Sequence, residues 1–113
     1  MHEFSLATQI VEIVKETAQK AGKEKVVAVN IEIGKISGVE EPALLTALEC
    51  LVIDTIVENA KINTSHPKGL AECNDCNTKY ELMDLLSPCP NCNSFNREII
   101  SGKEFNIVSI EAE

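Results

Sequence analysis

Between residues 4 and 21, apolar side chains return at the spacing of one helical face: Leu6, Ile10, Ile13, Val14, Thr17 and Ala21. Glu12, Lys15, Glu16, Gln19 and Lys20 take the opposite side, and Gly22 follows as a stop signal. This pattern predicts a first helix over 4–21. From 25 to 34 the period changes to two. Val27, Val29, Ile31 and Ile33 alternate with Ala28, Asn30 and Glu32, which predicts a strand closed by Gly34. The segment 34–39 carries turn residues. A second helix is expected to open at Glu40-Glu41-Pro42, where acids suit the helix dipole and proline needs no donor. Leu44, Leu45, Leu48, Leu51, Val52, Thr55 and Ile56 supply its apolar face, and it should fade near Asn59. A short strand is expected over 60–65, then a break at His66-Pro67-Lys68-Gly69, and a last strand over 103–111.

Residues 70–100 break this rhythm. They hold Cys73-Asn74-Asp75-Cys76, twelve intervening residues, and Cys89-Pro90-Asn91-Cys92. A two-residue gap lets both thiolates of a pair face one ion, and two such knuckles close a tetrahedral four-sulfur site. With all four positions filled by sulfur, no water is left on the metal, so the site reads as structural. The segment has few large apolar side chains, while ordering costs roughly 1.5 kcal/mol per residue. Zinc on four thiolates offsets that by about 10–16 kcal/mol in small peptides. Iron would accept the same sulfurs, but rubredoxin-like knuckles carry glycine after the second cysteine, where Asn77 and Asn93 stand here. Disulfides are the other reading of paired cysteines. Hairpin arms are expected around 78–82 and 97–100.

The expected class is therefore α+β: a small three-stranded sheet with two helices, carrying an inserted zinc-ribbon module. Residues 1–66 with 103–113 form one domain and 67–102 the other. Aromatic residues make up only 4% of the 113, so the core is aliphatic. The net charge of −8 argues against a nucleic-acid partner, and within 70–100 only Lys79 and Arg97 oppose Glu72, Asp75, Glu81, Asp84 and Glu98. No stretch reads as a membrane span or export signal, which with five cysteines points to a reducing, cytoplasmic setting. Cys50, alone in a helical pattern, reads as a small buried residue. No P-loop, Ser-His-Asp arrangement or HExxH is present, so nothing marks an enzyme.

Met1-His2-Glu3 is the remaining chemistry. A free α-amine, the amide nitrogen of residue 2 and the imidazole of the same residue form adjoining chelate rings, and nitrogen donors in a plane favour Ni(II) or Cu(II). A solvated terminal histidine is the plainer reading of the same residue. His66, in a polar turn, reads as solvated.

The start Met1-His2-Glu3, the helix with Ser5-Leu6, the strand ending at Gly34, then Ser37 and the paired Cys-x-x-Cys knuckles resemble the HypA/HybF family of hydrogenase-maturation nickel metallochaperones. The resemblance runs the length of the chain. It implies an α/β domain that binds nickel through His2 and Glu3 with backbone nitrogens of the first residues, the Met1 amine among them. It also implies a zinc ribbon on Cys73, Cys76, Cys89 and Cys92, inserted before the last strand. Some members place an aspartate beside nickel where this chain has Glu40; a helix-start acid is the alternative reading of that residue. Loops found between the knuckles of some archaeal members are absent. The implied partners are the nickel-handling GTPase HypB and the NiFe-hydrogenase large-subunit precursor, with homodimerisation left open. The rival readings are a zinc-ribbon interaction module without nickel transfer and an iron electron carrier.

Overall fold

A computed structural model describes residues 2–113, and for His2 the backbone alone. The elements are α1 (His2–Lys20), β1 (Val26–Ile33), α2 (Glu41–Leu51), β2 (Lys61–Ser65), β3 (Leu70–Cys73), β4 (Lys79–Glu81), β5 (Arg97–Ser101) and β6 (Phe105–Ala112). They form two three-stranded sheets, ordered β2-β1-β6 and β4-β3-β5. The expected α+β class, with two helices, a three-stranded sheet and an inserted cysteine module, is what the chain adopts. β3 was not expected. Three residues between Gly69 and Cys73 are too few to display an alternation.

The chain divides into two units: 1–31 with 39–64 and 107–113, and 32–38 with 65–106. The turn after β1 thus groups with the cysteine module. In the first unit, α1 ends as its sequence implied. Gly22 adopts φ 71, its N–H donates to Gln19 O at 3.0 Å, and Lys23 N–H reaches Ala18 O at 2.9 Å. These two bonds satisfy the last carbonyls of the helix.

The buried face of α1 is rotated from the expected one. Ala7, Ile10, Val11, Val14 and Ala18 are buried, while Ile13 is 51% exposed and Thr17 and Ala21 lie outside. The expectation followed the larger side chains, whereas alanines hold the inner positions. On β1, Val29, Ile31 and Ile33 are buried as expected, joined by Val26 and Ala28, and Val27 is exposed.

α2 stops at Leu51, well before Asn59. A β-branched run, Val52-Ile53 and Thr55-Ile56-Val57, begins there and disfavours helix. Asp54 enters the left-handed region at φ 62, and the Thr55 hydroxyl donates to Val52 O at 2.7 Å while accepting from Val57 N–H at 3.1 Å. Cys50 is exposed, not buried. It lies off the buried Leu44–Leu48 stripe of α2, beside an open groove lined also by Glu3, Phe4, Pro42 and Ala47.

The second unit has its own small core: Ile36, Ala71, Cys73, Tyr80, Leu82 and Cys89, with Cys76 and Ile99 packed against them. β3 is its central strand, antiparallel to β4 and to β5. Among the described residues, no helix is long and apolar enough to cross a membrane.

Candidate metal centre

Both knuckles are built the same way. Cys73 N–H donates to Thr78 O and Cys89 N–H to Ser94 O, each at 2.9 Å. Asn77 N–H reaches back to Cys73 O at 2.9 Å, and Asn93 N–H to Cys89 O at 2.8 Å. The turns close because Asn77 and Asn93 take φ 61 and 62, a left-handed conformation that asparagine tolerates better than most residues. Asp75 N–H then points at Cys73 Sγ and Asn91 N–H at Cys89 Sγ, both at 3.4 Å. Amide donors aimed at sulfur stabilise thiolate charge before any cation arrives.

A polar clasp joins the two knuckles. The Ser94 hydroxyl and the Asn96 amide both donate to the Asp75 carboxylate. The Asn74 side chain donates to Asn96 Oδ1 at 3.0 Å, and Asn74 N–H to Asn96 O at 2.8 Å. Arg97 braces the intervening loop through the carbonyls of Leu85 and Ser87, at 2.6 and 3.0 Å.

Cys73, Cys76, Cys89 and Cys92 are brought together as expected, with ligand atoms all within 4.8 Å of one another. Cys73 and Cys92 sulfurs are 3.5 Å apart and those of Cys76 and Cys89 3.6 Å. A zinc–sulfur bond of about 2.3 Å in a tetrahedron implies sulfur–sulfur edges of about 3.8 Å. The set therefore fits one tetrahedral four-thiolate ion. No disulfide is present among the five cysteines.

As thiols, Cys76 and Cys92 are unequal. The Asn91 side chain, then the Thr78 hydroxyl and N–H, hold Cys76 down at about 6 from an ordinary 9.0. Ser94 N–H pulls Cys92 downward too, but the Cys73 thiol, desolvation and the remaining thiols outweigh it and push Cys92 up to about 12. A cluster that strips one proton readily and holds another tightly is completed by a cation that displaces the last proton.

The likeness of the knuckles has a signal in the chain that the expectation of no internal repeat passed over: Cys-Asn-Asp-Cys-Asn-Thr against Cys-Pro-Asn-Cys-Asn-Ser. The clasp, and the place of Ile36 in the core of the second unit, had no such signal.

Elsewhere, Met1 and the His2 side chain lie outside the described residues. Glu3, in the first turn of α1, is half-buried, and its Oε2 accepts the Glu40 N–H at 3.0 Å. Glu40 stands at the N-cap of α2 with φ −83 and ψ 95, and its own carboxylate makes no capping bond. His66 is exposed between β2 and β3.

The model of the family described as hydrogenase/urease nickel incorporation, metallochaperone, HypA, matches residues 1–112. The chain belongs to the HypA family. Among the relatives, the hydrogenase maturation factor HypA of Parabacteroides distasonis is 40% identical over 110 residues, spanning 97% of this chain and 96% of that one. The hydrogenase maturation factor HypA of Geobacter metallireducens is 33% identical over 113 residues, the whole of both chains. In three dimensions the fold is similar to the solution structure of the Ni metallochaperone HypA from Helicobacter pylori, with a TM-score of 0.69 and 25% identity over 97% of this chain and 96% of that one. A second solution structure, of HypA protein, gives a TM-score of 0.72 at 25% identity, over 100% and 97% of the two chains. The resemblance seen in the start tripeptide and the cysteine spacing is thus borne out at the level of the family.

Proposed function

We propose that this protein is a cytoplasmic nickel metallochaperone, not an enzyme, that binds Ni(II) at its N-terminus and delivers it during maturation of NiFe-hydrogenase. The donors are the Met1 amine, the His2 imidazole and backbone nitrogens of the first residues, Glu3 included. Glu40 is a carboxylate neighbour of that site. Residues 1–66 with 103–113 form the nickel-binding domain, and 67–102 the ribbon, where Cys73, Cys76, Cys89 and Cys92 hold structural zinc. What supports the reading is the family match over residues 1–112, which takes in Met1-His2-Glu3 as well as the cysteines.

The chemistry of the two sites separates their roles. Four thiolates enclose an ion and leave it no open position. A histidine with backbone nitrogens gives a planar donor set suited to Ni(II), and one imidazole is easily detached when cargo must leave. α-Amines and imidazoles take up protons around neutrality, so nickel affinity should fall as the pH is lowered. With no nucleotide motif in the chain, the energy-driven step belongs to a partner, the GTPase HypB. The recipient is the hydrogenase large-subunit precursor.

A nickel isotherm on untagged protein, beside His2→Ala, tests this. Wild type should bind one nickel and His2→Ala should lose it, with zinc content and helical spectrum unchanged in both. Normal nickel binding by His2→Ala would leave the ribbon interaction module as the reading.

A further inference from the structure

The start of α2 has an unusual cap. In a capping box, a Glu or Gln at the third helical position reaches back to the N–H of the N-cap residue. The third position here is Ala43, which has no acceptor, and Pro42 before it has no N–H. The N-cap Glu40 adopts the extended backbone of a cap, yet its carboxylate makes no capping bond. Its N–H is satisfied instead from a different helix: Glu3 Oε2, on the first turn of α1, accepts it at 3.0 Å. One carboxylate thus serves two helix starts, lying in the first turn of α1 and at the positive end of the α2 dipole, both favoured places for negative charge. The start of α2 is itself fixed, because the Thr64 hydroxyl of β2 donates to Glu41 Oε2 at 3.0 Å.

Glu3 follows directly after His2. We infer that the Glu3 carboxylate is a positioning group for nickel, pinning the first turn of α1 to the N-cap of α2. The carboxylate does this through the Glu40 N–H and is not a ligand itself. The inference rests on the nickel reading above. Without the clamp, the first turn frays as helix ends do, and the donors must be ordered when the ion binds, which lowers affinity without changing the donor set.

Three measurements test this. Nickel titration of Glu3→Ala should show one nickel per chain and the wild-type visible absorption spectrum, with affinity about tenfold weaker, the scale of one lost charge-assisted hydrogen bond. Glu3→Gln, which keeps an acceptor oxygen, should recover most of that affinity. In metal-free protein, the Glu40 amide should be protected from hydrogen exchange in wild type and in Glu3→Gln and exchange faster in Glu3→Ala. Unchanged affinity in Glu3→Ala overturns the inference, and so does an altered nickel spectrum, which would make the carboxylate a ligand. A Glu40 amide that exchanges freely in wild type overturns it as well, and that result needs no variant to fold. Wild-type nickel binding by His2→Ala sinks the nickel reading and this role with it. The Glu40 exchange rate would still report whether the clamp exists.

Discussion

Asn77 and Asn93 each sit at φ near 60 directly after the second cysteine of a knuckle. Glycine takes that conformation without strain, and a β-carbon costs about 1–2 kcal/mol there. Asn77→Gly should therefore leave the zinc-loaded unfolding midpoint unchanged or raise it, and Asn77→Ala should destabilise the ribbon by about 1 kcal/mol. A midpoint unmoved by alanine would mean that the turn does not need the left-handed residue. At the base of the ribbon the constraint is space. A β-carbon on Gly34 would lie 2.1 Å from the Gly102 carbonyl oxygen, and Ile36 N–H donates to that same oxygen at 2.8 Å. Gly34→Ala must displace backbone, at a cost of about 1–3 kcal/mol, measurable as a lowered denaturant midpoint. At this scale the sequence was uneven. The four ligands and both asparagines stood out by spacing. Ile36 did not, because an apolar residue in a turn gives no sign of which core it enters, and exposed Cys50 was misplaced because its residue type suggests burial while its position lies off the Leu44–Leu48 stripe.

Elements were legible where a period had room to repeat. α1, β1 and the start of α2 came from pattern and stop signals alone. The stripe on α1 was rotated because Ala7 and Ala18, not the larger Ile13, face inward. α2 ended early because β-branched residues and the Thr55 hydroxyl turn compete with helix. The ribbon strands, with four residues in β3 and three in β4, are too short to hold themselves, and the core beneath them is small. Chelation of the metal should therefore melt the ribbon, seen as loss of amide dispersion and exchange protection across β3, β4 and β5, while α1 and α2 keep their helical signal. Ribbon amides that stay protected without metal would show that hydrogen bonds and the small core suffice.

For the whole molecule, the ribbon is inserted in the chain between β2 and β6, which share one sheet with β1. Cys73→Ala should accordingly weaken nickel binding as well as abolish zinc binding; unchanged nickel affinity in the zinc-free variant would leave the sites independent. A net charge of −8 should steer encounter with a basic surface on the GTPase, so the association rate should fall as salt rises, and a salt-independent rate would mean that apolar contacts dominate. The central claim is that nickel is held by the free N-terminus while the ribbon thiolates hold zinc. It is tested most directly by comparing nickel isotherms of untagged protein and protein with a tag ahead of Met1. The tag removes the amine but keeps the imidazole and all five cysteines. Nickel binding should be lost or crippled in the tagged form with one zinc retained per chain, whereas equal nickel affinity in the two forms would contradict the claim.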